Sequence, residues 1–181
     1  MKKKIAIIGS GIAGLILANL FKNNSTFEIT IYEKEKILSL DEGYGIQLAP
    51  NSIRILNKIN FFNFKNNNLS NPSKLDFYSK DNKKICDISL DKFNTDKVKY
   101  TTLKRSTLIE FLKDGLFLNN IKFGKQVKKV SKIKGKLLIN FLDNTNDLVD
   151  YIVISDGVFS NTKSVIENKN IQPIYSGSIA V

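Results

Sequence analysis

Residues 4–33 read KIAIIGSGIAGLILANLFKNNSTFEITIYE, and this stretch decides the fold. Lys4–Ile8 is a short, almost fully apolar run, followed at once by three glycines, Gly9, Gly11 and Gly14. IAGLILANLF then continues apolar on nearly every face, the pattern of a helix buried against a sheet. The polar break NNST separates it from FEITIYE, whose alternating β-branched residues read as a second strand ending at Glu33. Strand, turn, helix and strand in this order make a βαβ unit.

The glycines fit the dinucleotide fingerprint in the context it requires, after a strand and at the opening of a helix. Gly9 permits the tight turn, Gly11 lets the backbone approach a pyrophosphate, and Gly14 allows the helix to pack closely on the strand. The diphosphate then meets the free N–H groups and positive end of the helix that starts near Ile12. Glu33 stands 19 residues beyond Gly14, where a carboxylate accepts hydrogen bonds from ribose hydroxyls. Three spaced glycines alone are weak evidence; strand, glycines, buried helix, second strand and terminal acid together are strong. NAD and FAD both use such a turn.

Composition narrows the remaining classes. At 181 residues and 20.5 kDa the chain can build one sizeable core, or one domain and part of another. Its 42% hydrophobic and 25% charged residues are ordinary globular values. No apolar run approaches the roughly 20 residues of a spanning helix, so no transmembrane segment is expected. The opening Met-Lys-Lys-Lys leads into a strand rather than a signal peptide, which makes the cytoplasm the expected location. One cysteine, Cys86, and no histidine exclude a disulfide framework, a zinc cluster and an imidazole triad, so no metal is expected. Cys86, mid-strand among apolar residues, reads as a small core residue. The net charge of +11 comes from 28 basic residues, of which only Arg54 and Arg105 are arginine. With 24 isoleucines and 21 asparagines beside the lysines, this is a compositional bias. The basic residues are scattered, without a dense basic helix or interleaved aromatics, and no nucleic acid is expected as partner.

Beyond Glu33 the rhythm changes. GYGIQLAPNSIRILNKI gives a short strand and a helix opening at Pro50, and residues 60–74 read as a loop. KLDFYS and KICDISL form a hairpin about the turn KDNKK. YTTLKRSTLIEFLKDGLFL runs from strand into helix, with Leu108, Ile109, Leu112 and Leu116 on one side. QVKKVSKI and KLLINFLD flank a turn at Gly135; NTND turns the chain into the strand DYIVIS, and Ile174–Val181 reads as the start of another strand.

This departure from repeated βα units resembles the FAD-dependent aromatic-ring monooxygenases, single-component flavoprotein hydroxylases of the salicylate and ubiquinone-pathway type. IAIIGSGIAGLILA is similar to the first FAD motif of that family, and GYGIQLAPNSIRIL to the glycine-rich strand and helix of its salicylate branch. LKRSTLIEFL resembles the helix whose arginine contacts FAD, and ISDGVFSNTK the Asp-Gly motif shared between flavin and nicotinamide binding. Ile154 and Lys163 stand where that motif usually carries glycine and arginine; Lys163 keeps the charge and loses the fork. In a chain so rich in lysine, Arg105 suggests that a flat, bidentate guanidinium was wanted.

The resemblance implies an α/β fold: a Rossmann-like FAD-binding βαβ domain with a parallel sheet, an antiparallel β excursion and the start of a substrate-domain sheet. It implies residues 1–72 and 99–170 for the FAD domain and 73–98 with 171–181 for part of the substrate sheet, as an N-terminal portion of a longer protein. Cofactor contacts would be Gly9, Gly11, Ala13, Gly14, Glu33, Lys34, Arg105, Val127, Asp156 and Gly157, with Lys34 beside the adenosine and Val127 at the adenine edge. In this class NAD(P)H reduces FAD, the reduced flavin captures O2 as a C4a-hydroperoxide, and oxygen passes to a small aromatic substrate. A quinone-precursor substrate would add peripheral membrane contact. No catalytic base is assigned; Tyr44, Tyr78 and Tyr100 are the tyrosines considered. Another FAD-dependent reductase or oxidase of the same fold, or a truncated remnant without activity, stays open as an alternative.

Overall fold

The computed structural model describes residues 1–38, 44–65, 67–116 and 120–177. In chain order its elements are β1 (Lys3–Ile8), α1 (Ile12–Phe21), β2 (Phe27–Tyr32), β3 (Gly45–Leu48), α2 (Pro50–Asn57), β4 (Lys74–Tyr78), β5 (Lys84–Ser89) and β6 (Thr101–Lys104). They continue with α3 (Arg105–Asp114), β7 (Ile121–Lys122), β8 (Val127–Ile133), β9 (Lys136–Phe141), β10 (Asn146–Val149), β11 (Tyr151–Ile154) and α4 (Asn161–Glu167). Two compact units result: residues 1–38 with 116–181, and residues 39–115.

The first unit is built on a four-stranded parallel sheet in the order β11-β1-β2-β7. Ile8 is in register with Tyr32 on one side and with Ile154 on the other, so three strands end level. Gly9, Glu33 and Ser155 therefore leave the carboxyl edge side by side, the edge at which open α/β sheets bind ligands. Strands covered on both faces need near-continuous apolar sequence, which is what IAII supplies. One face, through Ala6, Ile8 and Tyr32, packs on Val127, Ile139, Phe141 and Val149 of an antiparallel sheet ordered β10-β9-β8. α1 packs against β1 and β2 with Gly14, Leu15, Ala18 and Asn19 buried.

Gly11 caps α1 without a side-chain hydrogen bond. Burial holds the helix instead: a fully buried leucine such as Leu15 contributes about 1.5–3 kcal/mol, more than the ~1 kcal/mol of a good cap. The first-turn amides are left for another acceptor.

The second unit pairs β3 with β6 and β4 with β5, both antiparallel. Ile53 and Leu56 of α2 and Leu108, Ile109 and Leu112 of α3 are buried, and the rings of Phe61, Phe64 and Phe111 meet at 4.8–5.9 Å. Pro50 opens α2 as expected.

The α/β class, the parallel βαβ unit and the antiparallel excursion follow the sequence reading. Three details do not. Residues 174–177 carry no regular structure, and 178–181 lie outside the described residues. Cys86 is exposed: it shares the open face of the hairpin with Leu75, Phe77 and Ile88 rather than a core. β10 takes in Asn146 and Asp147, which read as turn residues, because their partners across the ladder, Asn140 and Ile139, extend the antiparallel sheet.

Candidate dinucleotide site at the carboxyl edge of the sheet

The three glycines are glycine for different reasons. Gly9 has φ +103°, and a Cβ there would stand 2.6 Å from Ser155 O. A Cβ on Gly14 would stand 2.1 Å from Gly9 O and 2.8 Å from Ser155 Oγ, which no helix could absorb. Packing within the chain explains both. It does not explain Gly11, whose φ of −70° suits any residue and whose Cβ would meet nothing within 4 Å among the described residues. The space in front of Gly11 therefore fits an incoming group, at the uncapped end of α1 where exposed Ala13 lies in the first turn.

Glu33 closes one side of this space. Its Oε2 accepts from Ser10 N–H at 2.8 Å and from Ser10 Oγ–H at 2.7 Å, and its Oε1 accepts from Glu35 N–H at 3.0 Å. Burial pushes the carboxyl up, but the Ser10 hydroxyl and the amides of Glu35, Ser10 and Lys34 outweigh it and hold it below the usual range. Glu33 is thus ionised at neutral pH. Lys34 is exposed and its Nζ lies 3.8 Å from Glu35 Oε1.

On the other side, Ser155 Oγ–H is shared between Ile8 O at 2.9 Å and Gly9 O at 3.1 Å, fastening the end of β11 to the glycine turn. Asp156 Oδ2 accepts from Thr162 N–H at 3.2 Å, while its Oδ1 is buried without a partner among the described residues. Gly157 follows at φ +86°. Lys163 is exposed, and its amide caps on Ser160 Oγ at 3.0 Å. Val127 is 3% exposed, its side chain is committed to the core cluster, and its carbonyl accepts from Asn161 Nδ2 at 3.4 Å.

In the second unit, Arg105 opens α3, its amide donating to Tyr44 O at 3.1 Å. Its Nη1 is buried without a partner among the described residues. Arg54 is exposed in the last turn of α2. Tyr44 and Tyr78 are exposed, and Tyr100 donates its hydroxyl to Gln47 Oε1 at 2.6 Å.

The first unit thus brings together Gly9, Gly11, Ala13, Gly14, Glu33 and, through Ser155, the Asp156–Gly157 turn. Ser10 and Ser155 escape sequence reading, because a serine beside a glycine or at a strand end reads as ordinary turn chemistry. The donor set suits a nucleotide diphosphate: uncapped amides for the phosphates, an ionised acceptor for a ribose. Among the described residues no group of three metal-ligating side chains occurs, and no helix is long and apolar enough to cross a membrane.

No protein-family model matches the chain. A curated 6-hydroxynicotinate 3-monooxygenase of Pseudomonas fluorescens is 26% identical over 182 residues, covering 98% of this chain and 46% of the relative. The FAD-dependent monooxygenase pigN of Monascus ruber is 29% identical over 185 residues, covering 95% of this chain and 42% of that protein. Over nearly its whole length the chain is similar in sequence to proteins named as monooxygenases, one of them FAD-dependent by name. It spans about half the length of the curated relatives it matches. Among solved structures, 2,6-dihydroxypyridine-3-hydroxylase from Arthrobacter nicotinovorans superimposes with a TM-score of 0.78 at 17% identity, over 98% of this chain and 42% of that one. That likeness shows a shared fold.

Proposed function

We propose that this chain is the FAD-binding part of an NAD(P)H-dependent flavoprotein monooxygenase that hydroxylates a small aromatic ring. The observation that carries the reading is the open space at Gly11, between uncapped helix amides and an ionised glutamate. A packed Rossmann turn with no ligand has no use for a glycine there.

In this reading the amides of Ile12, Ala13 and Gly14 bind the diphosphate, and Glu33 accepts from the adenosine ribose. Asp156 Oδ1 and Arg105 Nη1, each buried without a partner among the described residues, hold further polar groups of the cofactor. Gly157 lets its backbone come close. Lys34 lies beside the adenosine, and the backbone of Val127 meets the adenine edge. FAD, when bound and reduced by NAD(P)H, supplies the activation of O2 and the transfer of one oxygen atom to an electron-rich ring. The protein's part is to fix the cofactor and keep water from the reacting centre. Residues 1–72 and 99–170 form the FAD-binding domain, and 73–98 with 171–181 belong to the substrate side. The names of the relatives favour hydroxylated aromatic or N-heteroaromatic acids as substrates.

The test is equilibrium titration with FAD. Saturable, non-covalent binding that Gly11→Val abolishes supports the reading, since the branched side chain fills the space meant for the pyrophosphate. Unchanged FAD binding by Gly11→Val would overturn it.

A further inference from the structure

We propose that Ser10 is a positioning residue for nucleotide recognition: its amide and hydroxyl lock the Glu33 carboxylate at the mouth of the glycine turn, oriented to accept from a ribose hydroxyl. The proposal rests on reading the turn as a nucleotide site.

Ser10 is 3% exposed, a buried polar side chain between two glycines. Both of its donors fall on the same carboxylate oxygen, at 2.8 and 2.7 Å. A carboxylate offers about four lone-pair sites. Ser10 fills the two on Oε2, Glu35 N–H takes one on Oε1, and the Lys34 amide adds its own stabilisation of the charge. A single amide donor would let the carboxylate swing about that bond; a second donor, held by the same residue, fixes its plane. The ordering of Glu33 is then complete before a nucleotide arrives, and association does not have to supply it.

The ammonium groups around Glu33 are engaged elsewhere. On its own segment, Lys34 faces Glu35. From the packed strand and loop beyond, Lys122 lies 3.6 Å from Asp147, and Lys125 pairs with Asp143. Lys122 and Lys125 meet the Glu33 backbone only through their own main chain. Ser10 is therefore the side chain that holds this carboxylate, and losing its hydroxyl both loosens Glu33 and eases its protonation.

The experiment compares the wild-type protein with Ser10→Ala and Ser10→Thr. Carbon-13 NMR follows the Glu33 carboxyl through its titration, and FAD affinity is measured across the same pH range. Ser10→Ala is expected to bind FAD about tenfold more weakly near neutral pH, the loss for one hydrogen bond to a charged group. Its Glu33 midpoint and the acid-side fall in affinity should both move to higher pH, and Ser10→Thr should restore both. A serine that merely supports the fold would lower thermal stability in Ser10→Ala and move neither midpoint, and that result overturns the proposal. If the wild type binds no FAD while the Glu33 midpoint still rises in Ser10→Ala, the cofactor reading fails and the lock stands. Should Ser10→Ala not fold, the wild type alone decides: a Glu33 midpoint at or above the ordinary value of 4.5 refutes the lock.

Discussion

Tyr32 donates its hydroxyl proton to Asp147 Oδ2, joining the parallel sheet to the antiparallel one across 115 residues of sequence. The Tyr32 ring stacks on Phe141 with centroids 4.7 Å apart, and Lys122 Nζ lies 5.4 Å from its centroid. Burial and the Asp147 carboxylate push the phenol well above its usual range, so the hydroxyl is a donor at neutral pH. Because Tyr32 directly precedes Glu33, the same bond fixes the strand end from which the ribose-facing acid projects.

Removing that hydroxyl should cost stability without unmaking the fold. Tyr32→Phe keeps the ring and leaves Asp147 short of a donor, a loss of about 1–2 kcal/mol in unfolding free energy. Burial raises the Asp147 carboxyl, but the Tyr32 hydroxyl, the Leu148 amide and the charges of Lys122 and Lys4 together bring it below 3.8. A depressed folded value stabilises above the unfolded value, and the contribution disappears as pH falls through the folded one. The gap between wild type and Tyr32→Phe should therefore be full at neutral pH and narrow in acid. Denaturant unfolding at several pH values checks this; a gap that stayed constant into acid would contradict the sign.

Gly11 and Gly14 should fail in opposite ways. Gly14→Ala drives a Cβ to 2.1 Å from a backbone oxygen, so it should lower the melting temperature severely. Gly11→Ala puts a methyl into open space at an ordinary φ, so stability should fall by no more than the ~1 kcal/mol of a poorer helix cap while FAD affinity falls. Thermal melts and FAD titrations on the two variants separate structural glycine from ligand glycine.

Glu33→Ala should weaken FAD by about 1.5–3 kcal/mol, the range for a hydrogen bond to a charged group. The adenosine end is remote from the flavin ring, so the reduction potential of the bound cofactor should hardly change. A large shift in potential at unchanged affinity would count against the ribose role.

What the sequence shows and what it hides divide by range. KIAII, IAGLILANLF and FEITIYE each carry their own periodicity, so β1, α1 and β2 could be read directly and the glycine turn with them. β7 is two residues long, Ile121–Lys122, and has no period to detect; its existence depends on Ile31 and Tyr32 offering an edge. Cys86 misled because the hairpin's apolar alternation predicts a covered face, and the alternation itself cannot say what covers it. The Ser10–Glu33 and Tyr32–Asp147 bonds are tertiary, and no local pattern encodes either.

Arg105 should resist replacement by lysine. It begins α3, where the helix dipole disfavours a cation, and its Nη1 is buried with no acceptor among the described residues. Leaving a charged donor in this state is costly, so the arginine is expected to serve an acceptor that the chain does not itself provide. A lysine ammonium would keep the charge and lose the fixed fork of parallel donors that suits a flat, bidentate partner. Arg105→Lys is therefore expected to hold FAD about tenfold more weakly than wild type, while its melting temperature stays level or rises, because a flexible lysine can carry its charge to water. Arg54→Lys, at an exposed position in the last turn of α2, should leave both quantities unchanged and serves as the control. Equal FAD dissociation constants for Arg105→Lys and wild type would show that Arg105 takes no part in cofactor binding.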